Sequence, residues 1–448
     1  MNSHPQHGQH WQSTVHDSSI RASIPARSMN PCARCAANFT LMNTKSVYTT
    51  GKYILASGVV IFAIGQSLLF IVVAPLARSV GLTEWQFGLA FSIANISLLF
   101  AGPFWGRKSD SVGRKPVFVI GLFGSAVGTL AMAGSLTVGM AGTVTTLGLL
   151  GLIFMSRVLY GLTASSIYPS AAAYIADVTD WQNRAKGMAL IGGANALGSI
   201  LGPLIGGGLA FMGALFPIYV AAGIALLGAI ASVVWLVEPE QHQERKRNPE
   251  PDKPALKFTD PRLVPYMIMW ATVFVIFIGL NIITSFYIQD QFGIADIESV
   301  MGAASAMLAS MAVIITLLQG VLFQMIKISP QLLLRICGPL FAAAMFTMAF
   351  APSLIVLGLG FALLGAAFAC ATPGINGSAS LKMQPHEQGA AAGYLSAANT
   401  SGAILGPFVG TLLYRLQPNA PMLVGGVLML IISVYALTIA PPEKPADA

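Results

Sequence analysis

Uncharged, strongly apolar runs of span length recur along this chain, and no other feature constrains its fold as much. A helix needs about 20 residues to cross the ~30 Å of hydrocarbon in a bilayer. Runs of that kind cover 53–77, 85–105, 116–136, 146–176, 187–211 and 215–237, and, after a polar interval, 263–289, 299–325, 331–351, 354–381, 388–414 and 419–440. With 55% hydrophobic and only 9% charged residues, the chain has more apolar surface than a soluble domain can bury. The spacing therefore predicts an all-α polytopic membrane protein with twelve transmembrane helices in two groups of six.

The polar interval, "EPEQHQERKRNPEPDKPALKFTD", is charged, proline-rich and without apolar period, so it reads as a solvated linker. The chain then divides into an N-terminal tail (1–51), a first bundle (52–237), the linker (238–261), a second bundle (262–440) and a short tail (441–448). Of the Lys and Arg residues, Arg78 and Arg415 fall on one side of the membrane, Arg157 falls inside a span, and the others fall on the opposite side. That bias predicts a cytoplasmic location for both termini and accounts for the net charge of +7 without a nucleic-acid partner. The first tail has no signal-peptide pattern and reads as unstructured, with translation from Met42 as an alternative. Its His4, His7, His10, His16, Cys32 and Cys35 leave metal binding only weakly supported, so no metal and no cofactor are expected.

Residues 157–207 slide onto 361–411 without a gap, pairing Gly161, Pro169, Asn195, Gly198, Gly202, Pro203 and Gly206 with Gly365, Pro373, Asn399, Gly402, Gly406, Pro407 and Gly410. Such repetition is the mark of a duplicated transporter bundle. One charge cluster, "GRKSDSVGRKPV", belongs to the first half alone. Asp110 there ends the second span, where a carboxylate can dock on the positive N-terminal end of a neighbouring helix.

Three motifs in this order resemble the major facilitator superfamily, and within it the twelve-span drug and metabolite efflux antiporters. They are Gly106, Asp110, Gly113, Arg114 and Lys115 between spans two and three, Arg157 with Gly161 in span four, and Gly193, Gly202, Pro203, Gly206 and Gly207 in span five. Ser111 departs from the basic residue usual after the aspartate. The resemblance implies two pseudo-symmetric six-helix bundles around a midplane cavity. It also implies a latch in which Asp110 meets the eleventh span near residues 386–389 and Arg114 pairs with Asp177. A small-molecule substrate, protons as coupling ion, residence in the inner membrane and a monomeric state are further expectations of this reading. Export is favoured by the fifth-span pattern; an uptake symporter or a uniporter is the alternative.

Inside the spans, Gly198, Gly202 and Gly206 form one bare face suited to close helix contact, and Pro203 permits a bend. Arg157, a guanidinium within a span, is a candidate for the substrate cavity together with Gln66, Asn281 and Asn376; its alternative role is a fastener to Gln66 and first-span carbonyls. No Asp or Glu lies in the body of a span, which disfavours cationic substrates against neutral or anionic ones and leaves Asp110, Asp177 or a substrate that itself titrates as proton carrier. The same lack of His, Asp and Glu argues against a membrane-embedded enzyme. The absence of a phosphate-binding loop argues against ATP-driven transport.

Overall fold

The computed structural model describes residues 31–179, 181–239, 256–326, 328–384 and 387–438, and they contain helices and no strand. The first half comprises α1 (Pro31–Ser79), α2 (Glu84–Val112), α3 (Arg114–Met140), α4 (Thr146–Ala164), α5 (Ile167–Val178), α6 (Trp181–Gly208) and α7 (Phe216–Trp235). The second comprises α8 (Val264–Phe292), α9 (Ile297–Leu317), α10 (Phe323–Met325), α11 (Pro330–Ala349), α12 (Leu354–Leu381), α13 (Gln388–Leu416) and α14 (Ala420–Thr438). α4 with α5, and α9 with α10, each make one crossing, giving twelve. Eleven crossings have the length and apolar content to span a membrane. The twelfth, α13, is diluted by Gly, Ser, Thr and Asn.

Two local breaks depart from the expected plain spans. The fourth crossing turns at Ser165–Ser166, four residues before Pro169, whose missing N–H cannot bond the Ser165 carbonyl. The eighth widens into a π turn at Leu318–Leu322. At the N-terminus, helix begins at Pro31, earlier than the tail boundary expected from sequence. Cys32 and Cys35 fall on this backbone, while the four tail histidines lie outside the described residues.

Glycines set the distances between helices. A Cβ at Gly202 would stand 2.7 Å from the Ile64 carbonyl oxygen of α1, and one at Gly406 would stand 2.9 Å from the Val275 oxygen of α8. The match extends to the atoms met: Gly198 faces Val60 O, Ala63 Cβ and Ile64 N, and Gly402 faces Ala271 O, Phe274 Cβ and Val275 N. The repeat is thus a repeat of packing, α6 on α1 and α13 on α8. Gly161 against Ala94 and Gly365 against Met311 repeat it again, α4 on α2 and α12 on α9. Bilayer tails compete equally for apolar side chains, so close van der Waals contact at bare faces is what holds such helices together.

The halves meet mainly at one end, which we call the Arg78 end. Arg78 of α1 donates from Nη1 to Asp290 Oδ1 at 2.7 Å and from Nη2 to Asp290 Oδ2 at 2.8 Å, forking onto the last turn of α8. Its Nε holds Glu84 at 2.8 Å, the Tyr414 hydroxyl donates to Asp290 at 2.5 Å, and its guanidinium lies 4.8 Å from the Phe286 ring. Beneath the ion pair, Ser92 donates to Ile404 O at 2.7 Å, Asn95 to Ala403 O at 3.0 Å and Ser285 to Ile71 O at 3.3 Å. Side chains and backbone therefore close this end in layers.

Two outcomes are expected. Gly202→Ala or Gly406→Ala should destabilise the purified protein by about 1–3 kcal/mol in thermal unfolding, since the new methyl meets backbone. Gly192→Ala and Gly393→Ala, where nothing lies within 4 Å, should be neutral. Separately, Asp290→Asn should loosen the fork by about 1 kcal/mol, so that a cysteine at Ser285, now 1% exposed, reacts several-fold faster with a polar maleimide; an unchanged rate would exclude the fork as a closure.

Candidate functional site

A cavity of about 430 Å³ lies between the halves. The first half supplies Ala63, Gln66, Ser67 and Phe70 from α1, Tyr168 from α5, and Asn195, Ala196, Ser199, Ile200 and Pro203 from α6. The second supplies Phe274, Phe277, Ile278 and Asn281 from α8, the α9 face from Leu308 to Thr316, Gln319 from the π turn, Phe368 and Thr372 from α12, and Asn399 and Ala403 from α13. Helical spacing explains the α6 contribution, because the residues between its bare glycines point away from α1. One turn beyond, Gly192, Gly193 and Ala196 of α6 and Gly393, Ser396 and Ala397 of α13 are exposed, so the route into the cavity runs from the end opposite Arg78.

Of the side chains expected in the cavity, Gln66 and Asn281 line it. Asn376 does not: its amide donates to Thr372 O of its own helix at 3.0 Å, and Thr372 takes the lining position. Arg157 is enclosed within the first half, 1% exposed and absent from the lining. The reason is the close approach of α3 and α4, where a Cβ at Gly128 would stand 2.7 Å from Tyr160 Cβ. Arg157 Nη2 donates to Gly128 O at 3.3 Å, and the guanidinium lies 5.1 Å from the Tyr160 ring and 5.8 Å from that of Phe91. Its fastening is therefore to α3 and to aromatic faces, not to Gln66 and α1 carbonyls.

The charge cluster sits at the far end of the first half, which we call the Arg114 end. Arg114 donates from Nε to Asp177 Oδ2 at 2.9 Å, and from Nη1 to Asp110 Oδ1 at 2.6 Å and to Ser109 Oγ at 2.7 Å. One buried guanidinium so ties the end of α2, the start of α3 and the end of α5. Asp110 keeps 61% of its side chain exposed. Residue 386, part of its expected partner at 386–389 on the eleventh span, lies outside the described residues. Gly106 has room, with Pro169 Cβ 3.9 Å from a built Cβ. Gly113 has none: its φ is +116°, and a Cβ there would lie 2.9 Å from Glu238 Oε1.

Glu238 is the residue that sequence reasoning missed, because it opens the stretch read as solvated linker. Its carboxylate accepts from the Arg114 N–H at 2.5 Å and the Lys115 N–H at 2.8 Å, capping the positive end of α3. Lys115 joins the cluster through its backbone. Leu236 and Pro239 are buried beside it, and Val237 O accepts from the Tyr174 hydroxyl at 3.0 Å. The other end of the linker is anchored likewise: Arg262 donates to Asp260 at 2.9 Å and to Glu387 at 2.8 Å, and Tyr394 donates to Leu256 O at 2.9 Å. Hydrogen bonding from Arg262 holds the Asp260 carboxyl below its ordinary range. Residues 240–255 lie outside the described residues.

In the helix-packing motif, Gly198, Gly202 and Gly206 are buried on α1 and Pro203 is buried at the cavity wall, whereas Gly207 faces Ser305 and Met301 of α9 across the halves. Gly193 has no atom within 4 Å of a built Cβ and belongs to the open route.

The chain is similar to Multidrug resistance protein 2 of Bacillus subtilis (strain 168), 27% identical over 403 residues that cover 88% of this chain and 96% of that protein. Over 114 residues, 25% of each chain, it is 34% identical to Tetracycline resistance protein, class H, of Pasteurella multocida. Among solved structures, the nucleoside transporter NupG shares the fold with a TM-score of 0.68 at 13% identity, over 86% of this chain and 98% of that one. The sequence model of the Major Facilitator Superfamily matches residues 55–383 and 327–448. A duplicated twelve-helix fold around a central cavity and a family match across nearly the whole chain lead to one assignment: the protein is a membrane transporter belonging to the Major Facilitator Superfamily.

Proposed function

We propose that this protein exports small organic molecules across the plasma membrane by alternating access. The observation that carries the proposal is the cavity built jointly by both halves, closed over by the Arg78 fork and reached from the Arg114 end. With the Arg114 end cytoplasmic, as the distribution of Lys and Arg favours, the structure corresponds to an inward-facing conformer. The names of the relatives, multidrug and tetracycline resistance proteins, support drug efflux over uptake.

The outward-facing conformer then forms by rocking the halves so that the Arg114 end closes and Arg78 parts from Asp290. In that conformer Asp110 meets the start of α13, with Arg114 held in place by Asp177 and Glu238. Gly193 and Gly393, bare in the open route, allow α6 and α13 to approach the opposite half there. Protons drive the cycle. The described lining residues of the cavity include no acid, so proton uptake falls to the cluster of Asp110 and Asp177 or to a substrate that itself titrates.

In everted membrane vesicles, addition of substrate should dissipate an imposed pH gradient. Asp110→Asn should lower that response at least several-fold with expression near normal; an undiminished response would remove Asp110 from the latch. A response present only in right-side-out vesicles would favour uptake instead.

A further inference from the structure

The two halves match in backbone packing but not in the chemistry that they present to the cavity. The register set by Gly198 and Gly402 makes Ala63 of α1 the counterpart of Phe274 of α8. Three residues on, Gln66 is the counterpart of Phe277, and a turn further Phe70 is the counterpart of Asn281. On α12, Phe368 corresponds to Ala164 at the end of α4. Rings therefore collect on one wall: Phe277 stacks on Phe368 with centroids 4.3 Å apart and 25° between planes, and Phe274 packs edge-on to Phe368 at 5.7 Å.

The opposite wall carries polar groups available to a ligand, and on the second half Asn399 of α13 adds one more. Gln66 makes no side-chain hydrogen bond to any described residue, and the Tyr168 hydroxyl donates to the Asn195 carboxamide oxygen. On the ring-bearing half, by contrast, Asn281 Nδ2 is bound to Phe277 O at 2.6 Å and Gln319 Nε2 to Ala369 O at 3.2 Å. None of the 24 described lining residues is Asp, Glu, Lys, Arg or His. An ion entering such a cavity gives up hydration with no opposite charge to offset the loss. Arg157 does not change this for anions, because it is walled off behind Tyr160.

We propose that the cavity selects uncharged, flat aromatic molecules with a hydrogen-bonding edge, the ring lying against Phe277 and Phe368 and the edge meeting Gln66 and Asn195. This rests on the transport reading above and narrows its substrate class. Phe277 and Gln66 are its specificity-determining residues.

The test uses one fluorophore in three charge states: 4-amino-1,8-naphthalimide, its N-(2-trimethylammonioethyl) derivative and its N-carboxymethyl derivative. Binding is measured by fluorescence on the purified full chain in lipid nanodiscs, and accumulation in energised everted vesicles. The neutral probe should bind at least tenfold more tightly than either charged form. Phe277→Leu should weaken it about tenfold, Phe277→Tyr should restore it, and Gln66→Leu should remove the preference for the imide N–H over its N-methyl analogue. Equal or tighter binding of a charged form, binding of none of the three, or indifference to Phe277→Leu would each overturn the assignment. Neutral-probe binding with this selectivity but no accumulation in vesicles would leave the ligand class standing and overturn the efflux reading.

Discussion

Backbone contact along the bare faces of α6 and α13 is the constraint on which the rest of the structure depends. With no water to drive apolar association inside a bilayer, helices cohere where their backbones come close, and here Gly198, Gly202 and Gly206 meet α1 as Gly402, Gly406 and Gly410 meet α8. Each contact joins two helices that both face the centre of the molecule. Other faces of those four helices line the cavity, as Gln66, Asn195, Phe277 and Asn399 do. Its walls are thus fixed by residues that never touch its contents.

Each half so becomes a unit that can move as a whole, and the two ends of the molecule are held by different chemistry. At the Arg78 end, the tie between halves is a forked ion pair over three hydrogen bonds to backbone carbonyls. Such a tie is partly exposed, and modest energy suffices to part it. At the Arg114 end, the charges described bind within one half: Arg114 to Asp177 and Asp110, and Glu238 across the first N–H groups of α3. Charges that bind within a half stiffen it; charges that bind between halves select its partner position. The linker ends, fixed by Tyr174 on one half and Tyr394 on the other, join the stiffened units.

Periodicity and composition made the twelve crossings legible, because the length of a span is set by the membrane and not by tertiary detail. The duplication was legible too, since the glycines it preserves, Gly206 apart, are those whose Cβ atoms would strike backbone. What the sequence hid depends on rotation and on distance. Phe277 and Arg157 both lie in apolar runs, and nothing local distinguishes a ring facing a cavity from one facing lipid, or a cation in a cavity from one sealed behind Tyr160. Arg78 and Asp290 are 212 residues apart, and each reads alone as a charge at a helix end. Glu238 was lost in the charged run that follows it. The turn at Ser165–Ser166 was recoverable, because Pro169 stands four residues later and has no N–H to donate.

The claim that the halves rock as units about the cavity is tested most directly by distances at both ends of the same molecule. Spin labels at Ser79 and Gln291 report on the Arg78 end, and labels at Ser111 and Gln384 on the Arg114 end; all four positions are exposed. Pulsed electron-electron resonance in nanodiscs, with and without a pH gradient or bound probe, should show one distance lengthening whenever the other shortens. Distances that stay fixed at both ends, or that change in the same direction, would contradict the account.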